Sequence, residues 1–139
     1  MEWIVDRTQA DIMLGNGKGY YTYRDLNRVE QGVQELYLLA EKLDVHLPIS
    51  VKLDWGQSNL FSVEHWPVES QLRRYMENVR MISNAFCAAV QLPNTMENLT
   101  WEGANQIERA LYQAEQQIQG ILMTIRFSGE FFAGEENAI

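Results

Sequence analysis

The chain has 139 residues, a net charge of −8 and an ordinary apolar fraction of 46%, which fits one domain with one core and excludes a disordered or fibrous chain. So acidic a chain lacks the basic stripe that displaces counterions from nucleic acid, and an anionic membrane surface repels it. No apolar run approaches the ~20 residues of a membrane span, and a single cysteine, Cys87, forms no internal disulfide framework.

The first 21 residues read as a hook set apart from the long helices. Met1-Glu2-Trp3-Ile4-Val5-Asp6 lacks the basic end and apolar core of a signal peptide, so synthesis in a reducing cytoplasm is expected. Trp3-Ile4-Val5 suggests a brief strand, and Asp6 or Thr8 a cap for one or two helical turns through Leu14. Gly15, Gly17 and Gly19 then break regular structure.

A long helix is predicted over about 23–43. Thr22 is its N-cap, and Asp25 suits the positive end of the helix dipole. Leu26, Val29, Val33, Leu36, Ala40 and Leu43 form one apolar stripe, with Leu38 off it. From about 47 to 55 the period changes. Leu47, Ile49, Val51, Leu53 and Trp55 alternate with His46, Pro48, Ser50, Lys52 and Asp54, which predicts a half-buried strand. Its pairing partner would be Trp3–Val5 or Leu60–Val63, and Gly56-Gln57-Ser58-Asn59 reads as a turn.

A second helix is predicted over about 68–90, with Val68, Leu72, Tyr75, Val79, Ile82, Phe86 and Ala89 inward and Glu69 paired with Arg73. A third, over about 101–126, carries the cleanest stripe: Ala104, Ile107, Leu111, Ala114, Ile118, Ile121 and Ile125. Gly129 is the expected stop, Phe131 and Phe132 a second apolar hook, and 134–139 a flexible acidic tail. The fold class expected is mainly α: a three-helix bundle in one domain, with a small β element from about 47–55 and the N-terminus.

Two helix starts share a pattern. Thr22-Tyr23-Arg24-Asp25-Leu26-Asn27-Arg28-Val29-Glu30 is echoed by Thr100-Trp101-Glu102-Gly103-Ala104-Asn105-Gln106-Ile107-Glu108. Each sets an amide and a carboxylate one turn apart beside the apolar stripe. Such pairs either flank a core stripe as ordinary polar residues or clamp loop backbone; repetition of Thr, Asn and Glu together favours a structural clamp.

Other candidates weigh differently. Trp55, Phe61 and Trp66 crowd one irregular segment, where they either seal a bundle end or stack on a sugar ring or a partner. Leu38, Met81, Trp101, Tyr112 and Met123 lie off the core stripes, and predict a subunit or partner contact. His46 and His65 have no ligand spacing for zinc, so no metal is expected. Cys87 lacks a base nearby and reads as a small buried or half-buried side chain. No phosphate loop, nucleophile turn or paired catalytic carboxylate is legible, so neither catalysis nor a cofactor is expected.

Five strings resemble a family of proteins from the tail region of phages and prophages of Gram-positive, gut-type bacteria. They are Trp3-Ile4-Val5-Asp6-Arg7-Thr8-Gln9-Ala10-Asp11, Tyr23-Arg24-Asp25-Leu26-Asn27-Arg28-Val29-Glu30, Arg74-Tyr75-Met76-Glu77-Asn78-Val79-Arg80, Met96-Glu97-Asn98-Leu99-Thr100-Trp101-Glu102-Gly103-Ala104-Asn105 and Arg126-Phe127-Ser128-Gly129-Glu130-Phe131-Phe132-Ala133-Gly134-Glu135. Members often carry a longer insertion after the first string, where Met13 to Lys18 is a short bridge here. The resemblance implies a virion or tail-assembly component near the fibre or baseplate, with other tail proteins and further copies of itself as partners. The alternative is a carbohydrate-binding module for a host surface, resting on Trp55, Phe61 and Trp66.

Overall fold

The computed structural model describes residues 1–15, 18–19, 21–56 and 68–137, with side chains described as far as residue 125. It is mainly helical: α1 (Gln9–Leu14), α2 (Tyr23–Lys42), α3 (Glu69–Ala85) and α4 (Trp101–Asn137). The three long helices pack against one another in every pairing. Their shared core takes Val29, Val33 and Leu36 from α2, Tyr75, Val79 and Ile82 from α3, and Ile107, Leu111 and Ile118 from α4. A fully buried aliphatic or aromatic side chain contributes ~1.5–3 kcal/mol, so these stripes supply the main driving force.

Local chemistry sets the helix starts. Thr8 and Thr22 each form a capping box, with Asp11 and Asp25 respectively returning a bond to the cap backbone. Thr100 Oγ1 accepts from Gly103 N–H at 3.0 Å. No side chain caps α3, where Val68 stands at the N-cap.

Two helix ends differ from expectation. α3 stops at Ala85 rather than near 90, because Cys87 takes a left-handed φ of 53° and Ala88 N–H turns back to Ser83 O. Ala89 is therefore exposed, as is Val68 at the other end. α4 does not stop at Gly129: its backbone stays helical to Asn137. A glycine inside a helix costs ~1 kcal/mol but does not by itself end it. The side chains of Phe131, Phe132 and the 134–139 tail lie outside the described residues.

The expected β element is corrected. Among the described residues there is no strand: Trp3–Val5 and residues 47–54 carry no regular secondary structure, and Trp55 opens a turn. The alternation that suggested a strand is satisfied differently, with Leu47, Ile49 and Val51 packed on the core while helix side chains take up backbone groups. Arg74 and Asn78 of α3 both donate to Ser50 O, the latter at 2.7 Å. Leu60–Val63, the other proposed partner, lies outside the described residues.

Candidate functional site

The repeated helix start builds two polar clamps of one design. At α2, Asn27 Nδ2 donates to Trp55 O at 2.9 Å and Asn27 Oδ1 accepts from Trp55 N–H at 2.8 Å. At α4, Asn105 Nδ2 donates to Arg7 O at 2.9 Å and Asn105 Oδ1 accepts from Arg7 N–H at 3.0 Å. Each asparagine thus occupies both backbone groups of one residue outside the helices, as a neighbouring strand would.

The glutamate one turn later takes the side chain of that same residue. Glu30 accepts from Trp55 Nε1, and Glu108 Oε2 accepts from Arg7 Nη2 at 2.6 Å. An arginine from a neighbouring helix completes each set. Arg74 of α3 reaches Glu30 at 2.7 and 3.1 Å, and Arg28 of α2 bonds both oxygens of Glu108. Glu108 also accepts from Ile4 N–H at 2.9 Å. Arg7, Glu30 and Glu108 are 2%, 1% and 0% exposed, so these are interior charges held by neutralising partners, and the neutral Trp55 side chain is buried beside Glu30.

The hook is fastened further along the α2–α4 groove. Arg28 donates to Glu2 O, Arg109 to Val5 O, and Trp3 Nε1 to Glu115 at 3.1 Å. The Trp3 ring lies so close to Gly32 that a Cβ there would overlap it, which is why a residue without a side chain stands at this point of α2.

Tyrosines link the two clamps. The Arg7 guanidinium sits 5.3 Å from the Tyr21 ring centroid, and the Tyr21 and Tyr75 hydroxyls bond one another. Burial pushes both phenols above their ordinary value. Burial alone would lower the Arg28 guanidinium, but its bonds to Glu108 and Asp25 more than offset that, so Arg28 stands above the usual arginine value.

No protein-family model, curated protein or solved structure matches this chain.

Other candidate residues fall in different places. Of the two readings of Trp55, sealing the bundle or stacking on a ligand, its position fits the first: it is a core residue, with Lys52 Nζ 5.6 Å from its ring centroid. Phe61, Trp66 and His65 lie outside the described residues. Leu38, Tyr112 and Met123 are exposed, while Met81 and Trp101 are half-buried. Trp101, Tyr112 and Met123 fall on one line of α4, on the side of the helix that also carries Asn105 and Glu108. Cys87 is exposed, not buried, because the left-handed turn lifts it off α3. His46 is exposed and bonded to Glu41 at 2.6 Å and Asp44 at 2.8 Å. These contacts, Asp44 first, raise its pKa.

Sequence reasoning missed Arg7, Arg28 and Arg74 as clamp members. The signal was indirect: a glutamate one turn from a core-facing asparagine needs cations once buried. Among the described residues no cluster of His, Cys, Asp or Glu is arranged to hold a metal ion, and no helix is long and apolar enough to cross a membrane. A shallow groove of about 510 Å³ lies between residues 50–54 and α3, but Arg74 in its wall is already committed to Glu30 and Ser50.

Proposed function

We propose that this chain is a non-enzymatic structural or adaptor protein of a phage or prophage tail or baseplate, a three-helix bundle working through protein–protein contacts. The observation that carries the reading is the split in its apolar surface. Its polar interior is turned inward to fasten the chain to itself, while apolar side chains on α4 stand in solvent beyond the bundle. Glu30 and Glu108 accept three and four bonds respectively, which suits a structural role for both. The resemblance of five strings, in order, to tail-region proteins supports the setting proposed: synthesis in the host cytoplasm and residence in the virion tail.

Mass spectrometry of tail particles purified from an induced lysate tests this. Peptides of this chain should co-sediment with the tail fraction; their absence from it would sink the reading. The carbohydrate-binding alternative loses Trp55, whose ring and Nε1 are occupied in the core, and now rests on Phe61 and Trp66 alone.

A further inference from the structure

We propose that the groove between α2 and α4 is a peptide-recognition site that also takes the hook of a second copy, so that two chains trade hooks. This deepens the reading of the protein as one that works by protein contacts, and rests on it.

What the groove recognises is written in its bonds. Arg28 and Arg109 take the carbonyls of Glu2 and Val5, Glu108 takes the amide of Ile4, and Asn105 takes both groups of Arg7. Two side chains add selectivity. Trp3 lies over the bare backbone of Gly32 and bonds Glu115, while Arg7 enters between Glu108 and Asp25. Reading a backbone and seating spaced side chains is how peptide-binding domains capture a segment of a partner. The pattern required is Trp, three residues, then Arg, and it occurs once in the chain, in the hook. The face of α4 past Ile118, where Ile121 and Ile125 are 40% and 57% exposed, carries no such record of a guest.

None of these bonds depends on which copy supplies the hook. Among the described residues no backbone–backbone bond ties residues 1–7 to the long helices. The connection from hook to α2 runs through α1, which buries none of its residues and leaves Met13 and Leu14 80% and 78% exposed. The ion pair of Asp6 with Lys18, at 3.0 Å, and the capping box of Thr8 with Asp11 lie within this arm. Residues 9–20, drawn out at ~3.3 Å each, would span ~40 Å, more than the ~30 Å length of α2. An arm fastened only by its tip, on so long a connection, is suited to exchange between identical copies.

Chain order and charge both favour a second copy. The hook bonds residues of α4 that lie 98 to 112 positions further on, so it has no complete groove until the last helix forms. Two chains folding side by side then close on each other's hooks in competition with their own. Trading a short arm also joins two molecules of charge −8 without pressing broad acidic faces together.

Cross-linking between two differently tagged copies of the full chain tests this. Glu2 and Gln31 are both exposed and line one shallow depression beside Gly32. One copy carries Glu2→Cys, the other Gln31→Cys, and both carry Cys87→Ser; the two are co-expressed and treated with a short bismaleimide. The product linking the two copies should exceed, several-fold, that of a control pair in which Glu77→Cys, exposed on α3, replaces Gln31→Cys. Light scattering after refolding from urea should show a dimer fraction that rises with protein concentration, since pairing competes with closure inside one chain. Linking no better than the control pair, or a chain that refolds as a monomer at every concentration, overturns the proposal. Unlinked copies that still co-sediment with tails would defeat the exchange and spare the tail assignment; linked copies absent from tails would do the reverse.

Discussion

The clamp on α2 grips a tryptophan and the clamp on α4 grips an arginine, and this difference decides how each is neutralised. Around Glu30 the indole is neutral, so one cation, Arg74, balances one carboxylate. Around Glu108 both Arg7 and Arg28 are cations, so one carboxylate leaves a surplus positive charge. Asp25 supplies the missing negative charge, 3.4 Å from Arg7 and 3.0 Å from Arg28. It does so while also closing the capping box of α2. The matching position in the α4 start is Gly103, where no extra cation calls for a carboxylate. One helix-starting pattern has thus been fitted to two different guests by changing the charges around it.

The largest effect expected is at the carboxylates. Glu108→Gln leaves the buried Arg7, its side chain 1% exposed, and the partly exposed Arg28 facing Asp25 alone, and removing one partner of a buried pair costs about 3–5 kcal/mol. Glu30→Gln should cost less, about 1–3 kcal/mol, because the Arg74 side chain is 21% exposed and can turn to water. Urea unfolding of both variants measures this. Equal losses would break the distinction between a doubly and a singly charged clamp.

Next come the asparagines. Asn105→Ala strands the backbone groups of Arg7 in a buried setting, and Asn27→Ala those of Trp55 in a partly buried one. Each should cost about 1–3 kcal/mol, with Asn105→Ala the greater. Amide hydrogen exchange gives the sharper readout. Protection should fall at Arg7 in one variant and at Trp55 in the other; loss at both residues in either variant would mean the clamps do not act separately.

The exits from the clamps differ too. After Trp55 the chain turns through Gly56 at φ 69°, beneath the Tyr23 ring, whereas after Arg7 it passes directly to Thr8, the cap of α1. Gly56→Ala adds a Cβ in the left-handed region and against that ring, with an expected cost of about 1–2 kcal/mol. Thr8→Ala should cost about 1 kcal/mol, as for other N-caps. A neutral Gly56→Ala in thermal unfolding would show that the turn adapts.

How much of this was legible follows from sequence distance. Thr22, Asn27, Glu30 and their counterparts Thr100, Asn105 and Glu108 announce themselves by repetition within a few residues. Their guests do not: Trp55 lies 28 residues from Asn27, and Arg7 lies 98 from Asn105. Nothing local marks Arg7 as buried, since a core arginine and a surface one look alike until the fold closes. Leu47 to Trp55 misled for another reason. An extended segment lying on helices shows the same two-sided alternation as a strand on a sheet, because both have one face in the core. Ile121 and Ile125 misled in the opposite sense, since a stripe records which face is apolar but not where the neighbouring helices end.

The smallest effect provides a reference outside both clamps. His46, just beyond the C-terminal end of α2, faces Asp44 and Glu41 in solvent, and both raise its pKa above the ordinary value. A raised histidine favours the folded state when protonated, so its contribution is complete below the unfolded pKa of about 6.5 and is lost as pH rises through the folded one. His46→Gln should therefore lower the melting temperature slightly in acid and not at all in alkali. Glu108→Gln, which removes a carboxylate from between two guanidinium groups, should stay destabilised at both ends. Melting curves over the same pH series separate the cases. A His46→Gln deficit that persists unchanged into alkali would mean the ring acts by packing, and that an exposed ion cluster and a buried one cannot be told apart by pH here.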